Sequence, residues 1–248
     1  MSLISDANDL NNLRKGGKIL ADIIFQSKTV IKESTNLLEI DRFVESEIIK
    51  AGCRPSFKGF EGYPASTCLS VNHEVVHAIP KSYILRSGDL LGLDVGLWYK
   101  SIAVDTAITV AIGDISKRQQ ELLLSTQKAL KEAIRIIKPG IRTGDIGYCI
   151  QKVAEKNKLG IVRNLSGHGV GYKVHDYPSI LNFGRPNQGE LIKEGMALAI
   201  EPMFTLGGGE VKTAIDGWAV ETVDRSYAAQ FEHTILVSKS GAEIITVR

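Results

Sequence analysis

The sequence predicts an α+β fold of two similar halves, about 10–113 and 114–248, with a central antiparallel sheet, helices outside and a pseudo-twofold axis between the halves. Two observations predict it. The order helix, helix, strands is read twice along the 248 residues. Acidic residues also recur at a nearly constant offset. Glu39-Ile40 is matched by Asp145-Ile146 after 106 positions, and Gly88 with Asp94 by Gly195 with Glu201 after 107. No flexible linker interrupts the chain near Gly113, so the halves are expected to form one domain spanning 1–248.

Each element has its own reason. Leu10, Leu13, Ile19-Leu20, Ile23-Ile24 and Val30-Ile31 recur at helical spacing. A second helix is expected from about Leu37 to Lys50, stopped by Gly52. The stretch from Arg54 to Ser70 is irregular and aromatic. Strands follow at Thr67–Val71, Leu90–Val95 and Ile102–Ile112, rich in β-branched residues. Leu122, Leu130, Ile134 and Ile137 mark a helix over Ser116–Ile137, stopped by Pro139-Gly140. Thr143 is read as the N-cap of a helix from Gly144 to about Lys158, closed by Gly160. A glycine-rich loop around His168 comes next. The last strands are expected at Met196–Phe204, Val211–Ile215, Trp218–Val223 and Ala228–Val237.

Composition narrows the class. A 44% hydrophobic and 23% charged chain has the balance of a soluble globular protein. The net charge is +2, without blocks of like charge, so neither a nucleic-acid nor a membrane partner is expected. Cys53, Cys68 and Cys149 form no C-x-x-C pair, and their odd number fits a reducing cytoplasm rather than a disulfide framework. Residues 1–13 lack the apolar run of a signal peptide.

The chemistry is carried by acids in apolar surroundings. Asp94 lies in Leu-Leu-Gly-Leu-Asp-Val, Asp105 in Ile-Ala-Val-Asp-Thr-Ala, Glu201 in Ala-Leu-Ala-Ile-Glu-Pro, and Glu232 in Gln-Phe-Glu-His-Thr-Ile. A buried carboxylate must be paired, protonated or bound to a cation. No basic residue is close in sequence to Asp105, Glu201 or Glu232. His168 stands between Gly167 and Gly169, glycines expected to let a ligand approach the backbone closely. Four carboxylates and one imidazole suit a pair of divalent cations, because the charges cancel. Two metals about 3.5–4 Å apart can hold and acidify one water and polarise a substrate carbonyl, which is machinery for hydrolysis. A G-x-S-x-G elbow and a Walker A loop are both missing from the chain.

Five segments resemble the methionine aminopeptidases of the short type I form: Asn72 to Pro80, Asp94 with Asp105, Gly167 to Gly171 with His175, Ala199 to Met203, and Gln230 to Thr234. The resemblance covers the chain from about Arg14 to its end. It implies the pita-bread fold and removal of the initiator methionine from nascent chains and peptides whose second residue is small. It implies two divalent ions, of Co, Mn, Fe or Zn, held by Asp94, Asp105, His168, Glu201 and Glu232. A hydroxide between them would attack the scissile carbonyl, with Glu201 as proton shuttle. His77 and His175 match the two histidines that face the substrate, and Phe60, Tyr63, Cys68 and Trp218 match the lining of the methionine pocket. His233 is expected to be structural, on the opposite face of its strand. The resemblance also implies a monomer that meets its substrate at the ribosome.

Three positions depart from the pattern: Ala78 where glycine is usual, Gly92 where asparagine is common, and Val174 in place of an aromatic. Only Val174 is expected to touch the pocket. Two other readings share the ligand set or the fold. X-Pro aminopeptidases and prolidases carry an extra N-terminal domain for which this chain has no room. A non-catalytic binding relative would have lost ligands, and here all five positions are filled.

Overall fold

A computed structural model describes residues 3–248; Met1 and Ser2, the start of the stretch read as lacking a signal sequence, lie outside it. The elements are α1 (Ala7–Ser27), α2 (Leu37–Lys50), β1 (Arg54–Pro55), β2 (Thr67–Val71), β3 (Glu74–Val76), β4 (Leu90–Tyr99), β5 (Ile102–Ala111), α3 (Lys117–Ile136) and α4 (Thr143–Lys156). There follow β6 (Gly160–Ile161), β7 (Ser166–Gly169), β8 (Asp176–Leu181), β9 (Ala197–Ile200), β10 (Met203–Thr205), β11 (Val211–Thr213), β12 (Val220–Thr222), β13 (Ala228–Gln230), β14 (His233–Ser238) and β15 (Gly241–Ile244).

The helices start where short polar side chains can cap them. Asp6 accepts from the backbone of Asn8 and Asp9, Asn36 from Leu38, and Ser116 exchanges bonds with Gln119. The fourth start corrects the sequence reading. Arg142, not Thr143, occupies the N-cap, and the Asp145 carboxylate accepts from the Arg142 backbone at 2.8 Å. The Thr143 hydroxyl instead accepts from Glu190 N. This helix ends before Lys158, which takes the left-handed turn at φ 54, and Gly160 belongs to β6. The first helix stops at Ser27, short of Val30-Ile31, where the Ser27 hydroxyl bonds back to the Ile23 carbonyl.

Helices α1 and α2 pack on one core with β2, β4 and β5; α3 and α4 pack on a second with β9, β10, β13 and β14. Between the cores runs a seam. Glu232 N donates to the Ala107 carbonyl, and hydroxyls replace the rest of the ladder. Thr106 donates to Glu232 O, Thr109 to Gln230 O, and Thr234 to Asp105 O, at 2.6–2.7 Å.

Two expected long strands break at this seam. Met196–Phe204 splits into β9, in a five-stranded sheet ordered β15-β14-β9-β7-β8, and β10, in a three-stranded sheet β13-β10-β6. Ala228–Val237 splits into β13 and β14, which belong to the same two sheets. The breaks fall at Glu201-Pro202 and Phe231-Glu232. Pro202 has no N–H for a ladder, which forces the first break. Both glutamates therefore leave strand pairing where the chain changes sheets, and both carboxylates are free to turn inward.

Candidate metal centre and substrate pocket

The β4–β5 hairpin fixes the aspartates. Asp94 pairs with Ala107 and Gly96 with Asp105, so the two carboxylates are diagonal neighbours on one face. Cys68 on β2 lies directly across from Asp94. The glutamates reach the same space from the seam. Ligand atoms of Asp94, Asp105 and Glu232 lie within 4.8 Å of one another, as do those of His168, Glu201 and Glu232. Glu232 belongs to both groups and so stands between them. A third set of the same tightness joins Asp105 and His168 to His175.

All four acids are buried, at most 9% exposed, and no Lys or Arg lines the cavity around them. Burial pushes the Asp94 carboxyl up to about 7. Burial and then mutual repulsion hold Asp105, Glu201 and Glu232 well above the usual carboxylate range. One oxygen each of Asp94, Asp105 and Glu232 is buried with no hydrogen-bond partner. Orphaned carboxylate oxygens in an uncompensated cluster are the arrangement a divalent cation completes.

His168 is the nitrogen donor of the set. Its Nδ1 lies 2.9 Å from the Gly169 carbonyl, which can only accept, so Nδ1 carries the proton. Nε2 is left with its lone pair toward the acids, 3.6 Å from Glu201 Oε1. Burial lowers this imidazole to about 3, so it is neutral at pH 7. The segment is not a loop: Ser166–Gly169 forms β7, paired with β8 and β9. The sheet itself requires its glycines. A Cβ on Gly167 would come within 2.4 Å of the Ala199 carbonyl, and one on Gly169 within 2.5 Å of that of Tyr177.

Every residue expected to hold metal, face the substrate or line the methionine pocket borders one cavity of about 240 Å³. His77 is held at φ 59, a left-handed backbone rare outside glycine, and burial lowers its ring to about 4. His175 stands at the mouth, edge-on to His168 at 4.4 Å between ring centroids and to Phe60 at 5.3 Å. Partial desolvation there lowers its pKa as well. Phe60, Tyr63, Cys68 and Trp218 form the apolar end, with Tyr63 edge-on to Trp218 at 5.0 Å. The Tyr63 hydroxyl reaches the Thr67 and Ala78 carbonyls, each at 3.0 Å. Burial pushes the Cys68 thiol up, so it stays neutral.

Val174 packs in this apolar cluster, as expected of the departure nearest the pocket. A Cβ on Gly92 would make only ordinary contact with Ser70, so nothing nearby demands glycine there. His233 points away from the cluster and bonds Thr246 at 2.8 Å.

Three residues were not singled out beforehand. Phe57 and Glu61 line the cavity, and both lie in the irregular aromatic stretch that periodicity could not read. Gln230 donates to Glu201 at 3.0 Å; its place two residues before Glu232 was the available signal.

The sequence pattern of metallopeptidase family M24 matches residues 11–239. A methionine aminopeptidase of Clostridium perfringens is 39% identical over 247 residues, which cover 100% of this chain and 99% of the relative. The solved methionine aminopeptidase of Thermotoga maritima superposes with a TM-score of 0.98 at 39% identity, covering 100% of both chains. The prolidase of Pyrococcus furiosus, at 21% identity and a TM-score of 0.82, shares the pita-bread fold alone; this chain covers 66% of it.

Fold, buried acid cluster and matched pattern together define a metal-dependent hydrolase, and the chain belongs to metallopeptidase family M24. Within that family it groups with the methionine aminopeptidases of the short bacterial type, its full-length relatives.

Proposed function

We infer that the protein removes the N-terminal methionine from polypeptides whose second residue is small. Asp94, Asp105, His168, Glu201 and Glu232 would hold two divalent ions. The observation that carries this reading is the buried, uncompensated acid cluster, with its orphaned oxygens, at the end of an apolar aromatic pocket. When bound, the metal supplies Lewis-acid activation of a water and of the scissile carbonyl at neutral pH.

The chain's residues supply the rest. Phe60, Tyr63, Cys68 and Trp218 surround an unbranched thioether with rings and a neutral thiol, surfaces a flexible sulfur-containing side chain packs against well. Glu201, aimed into the cluster by Gln230, accepts a proton from the attacking water and passes it to the leaving amine. His77 and His175 are neutral and flank the way out of the cavity, where their N–H groups can donate to the carbonyl oxygen or the leaving nitrogen. We infer that the protein acts as a monomer. We infer cytoplasmic nascent chains at the ribosome as its physiological substrates.

The test is peptide cleavage with Mn, Fe, Co or Zn. Free methionine is expected from Met-Ala and Met-Gly peptides. Release of alanine from Ala-Pro, with no methionine from either peptide under any metal, would move the assignment to the proline-specific relatives.

A further inference from the structure

Past the histidines the cavity opens into a groove that the reaction above leaves unused. His77, His168, His175 and Glu201 line both the cavity and an adjoining cleft of about 550 Å³. Ser179 lines that cleft and also the next one, of about 670 Å³, so the two adjoin at this residue. Their common floor is the outer face of β8, where Tyr177, Ser179 and Leu181 alternate with buried Pro178 and Ile180. Tyr177 and Leu181 are 45% and 40% exposed, large apolar surfaces on the edge strand of the five-stranded sheet. At the far end Arg163 stacks on Phe183 at 4.4 Å from the ring centroid.

We propose that this groove holds the substrate polypeptide in extended form from its third residue onward, so that affinity grows with chain length. The proposal rests on the aminopeptidase reading, because that reading fixes which way the chain leaves. Methionine fills the aromatic pocket, the scissile amide lies at the acid cluster, and the groove begins where His77 and His175 flank the exit. Its dimensions fit: six residues of β8, at about 3.3 Å each, give about 20 Å, room for five or six extended residues. Its lining fits as well. The face of β8 itself offers the Tyr177 ring, the Ser179 hydroxyl and Leu181, with charge set around it at Asp176, at Glu190 on the Tyr177 hydroxyl, and at Arg163 and Arg185. This mostly apolar and hydroxyl-bearing floor suits a chain whose sequence beyond the second residue is arbitrary.

The test compares Met-Ala-Ser with Met-Ala-Ser-Ala-Leu-Ser-Ala on the metal-loaded protein. The heptapeptide is expected to show about tenfold higher kcat/KM through a lower KM, equivalent to about 1.4 kcal/mol of added contact. Ser179→Trp, which fills the groove from an exposed position, and Leu181→Ser should abolish that advantage and leave tripeptide turnover unchanged. Unchanged tripeptide turnover also shows that each variant is folded. Equal wild-type values for the two peptides, or a length advantage that survives both substitutions, overturn the groove. Failure to cleave either peptide counts against the aminopeptidase reading instead. The groove is then judged by fluorescence anisotropy of a labelled heptapeptide, where Ser179→Trp must weaken binding. Undiminished binding overturns it whatever the cleavage result.

Discussion

Gln230 donates from Nε2 to Glu201 Oε2 at 3.0 Å, and both side chains are buried. The glutamine is itself anchored across the seam: Gln230 N donates to the Thr109 hydroxyl at 3.0 Å, and that hydroxyl donates to Gln230 O at 2.7 Å. One half of the molecule thus aims the proposed proton shuttle of the other. Gln230→Ala should weaken divalent-metal affinity by about 10–100-fold, the usual effect of losing a partner that orients a ligand. Titration calorimetry with Mn(II) measures it, and wild-type affinity would show that Glu201 needs no such support.

Loss of the ligands themselves should be more severe. Glu232 joins two of the groups that could hold a metal, and His168 is the neutral imidazole proposed as nitrogen donor. His168→Ala and Glu232→Ala are each expected to lose most bound metal. Elemental analysis after gel filtration decides, and full metal content in either variant would refute the ligand assignment.

His77 separates binding from turnover. It lines the cavity but belongs to none of the metal-holding groups. His77→Ala should retain metal while kcat falls about 10²–10⁴-fold, the range for a group that moves protons in the transition state. An unchanged kcat would remove this imidazole from the chemistry.

The buried acids give the chelated protein a definite pH response. Asp94 is raised to about 7, and Asp105, Glu201 and Glu232 are raised well above their ordinary range. The folded state therefore binds more protons than the unfolded one near neutrality, and stability falls as pH rises. The buried histidines work in the opposite direction, because their lowered pKa values cost stability as pH falls through the unfolded value of 6.5. That opposing effect fades over about one pH unit above 6.5, and beyond it the raised carboxyls act in the same direction as the three raised cysteine thiols. Thermal melts in chelator should show Tm falling from about pH 7.5 to about 8.5, and divalent metal should reduce the fall because it binds deprotonated ligands. A Tm that rises over this window without metal would contradict the cluster's burial.

The glycines beside His168 can be tested for their structural role. A methyl group at position 167 would press on the Ala199 carbonyl. Gly167→Ala should cost about 1–3 kcal/mol of stability, as overpacking does, measured by urea unfolding. A neutral result would return these glycines to a ligand-approach role.

Much of this was legible in the sequence because the physics was local. Hydrophobic period and caps set α2 at Leu37–Lys50 and α3 from Ser116. Apolar surroundings made Asp94, Asp105, Glu201 and Glu232 conspicuous, since burying a bare carboxylate is expensive wherever it occurs. The five segments that resemble a known family then named the reaction. What the tertiary structure decided was long-range. A continuous apolar run did not reveal that the chain changes sheets at Glu201 and Glu232, because pairing partners lie more than a hundred residues away across the seam. Whether a glycine frees space for a ligand or for a neighbouring strand depends on that neighbour, and so does the donor chosen for Glu201. The sequence by itself determined which groups would need a cation. Only the packing of two halves determined that they meet in one cavity, which glutamine holds them, and which way a polypeptide would leave.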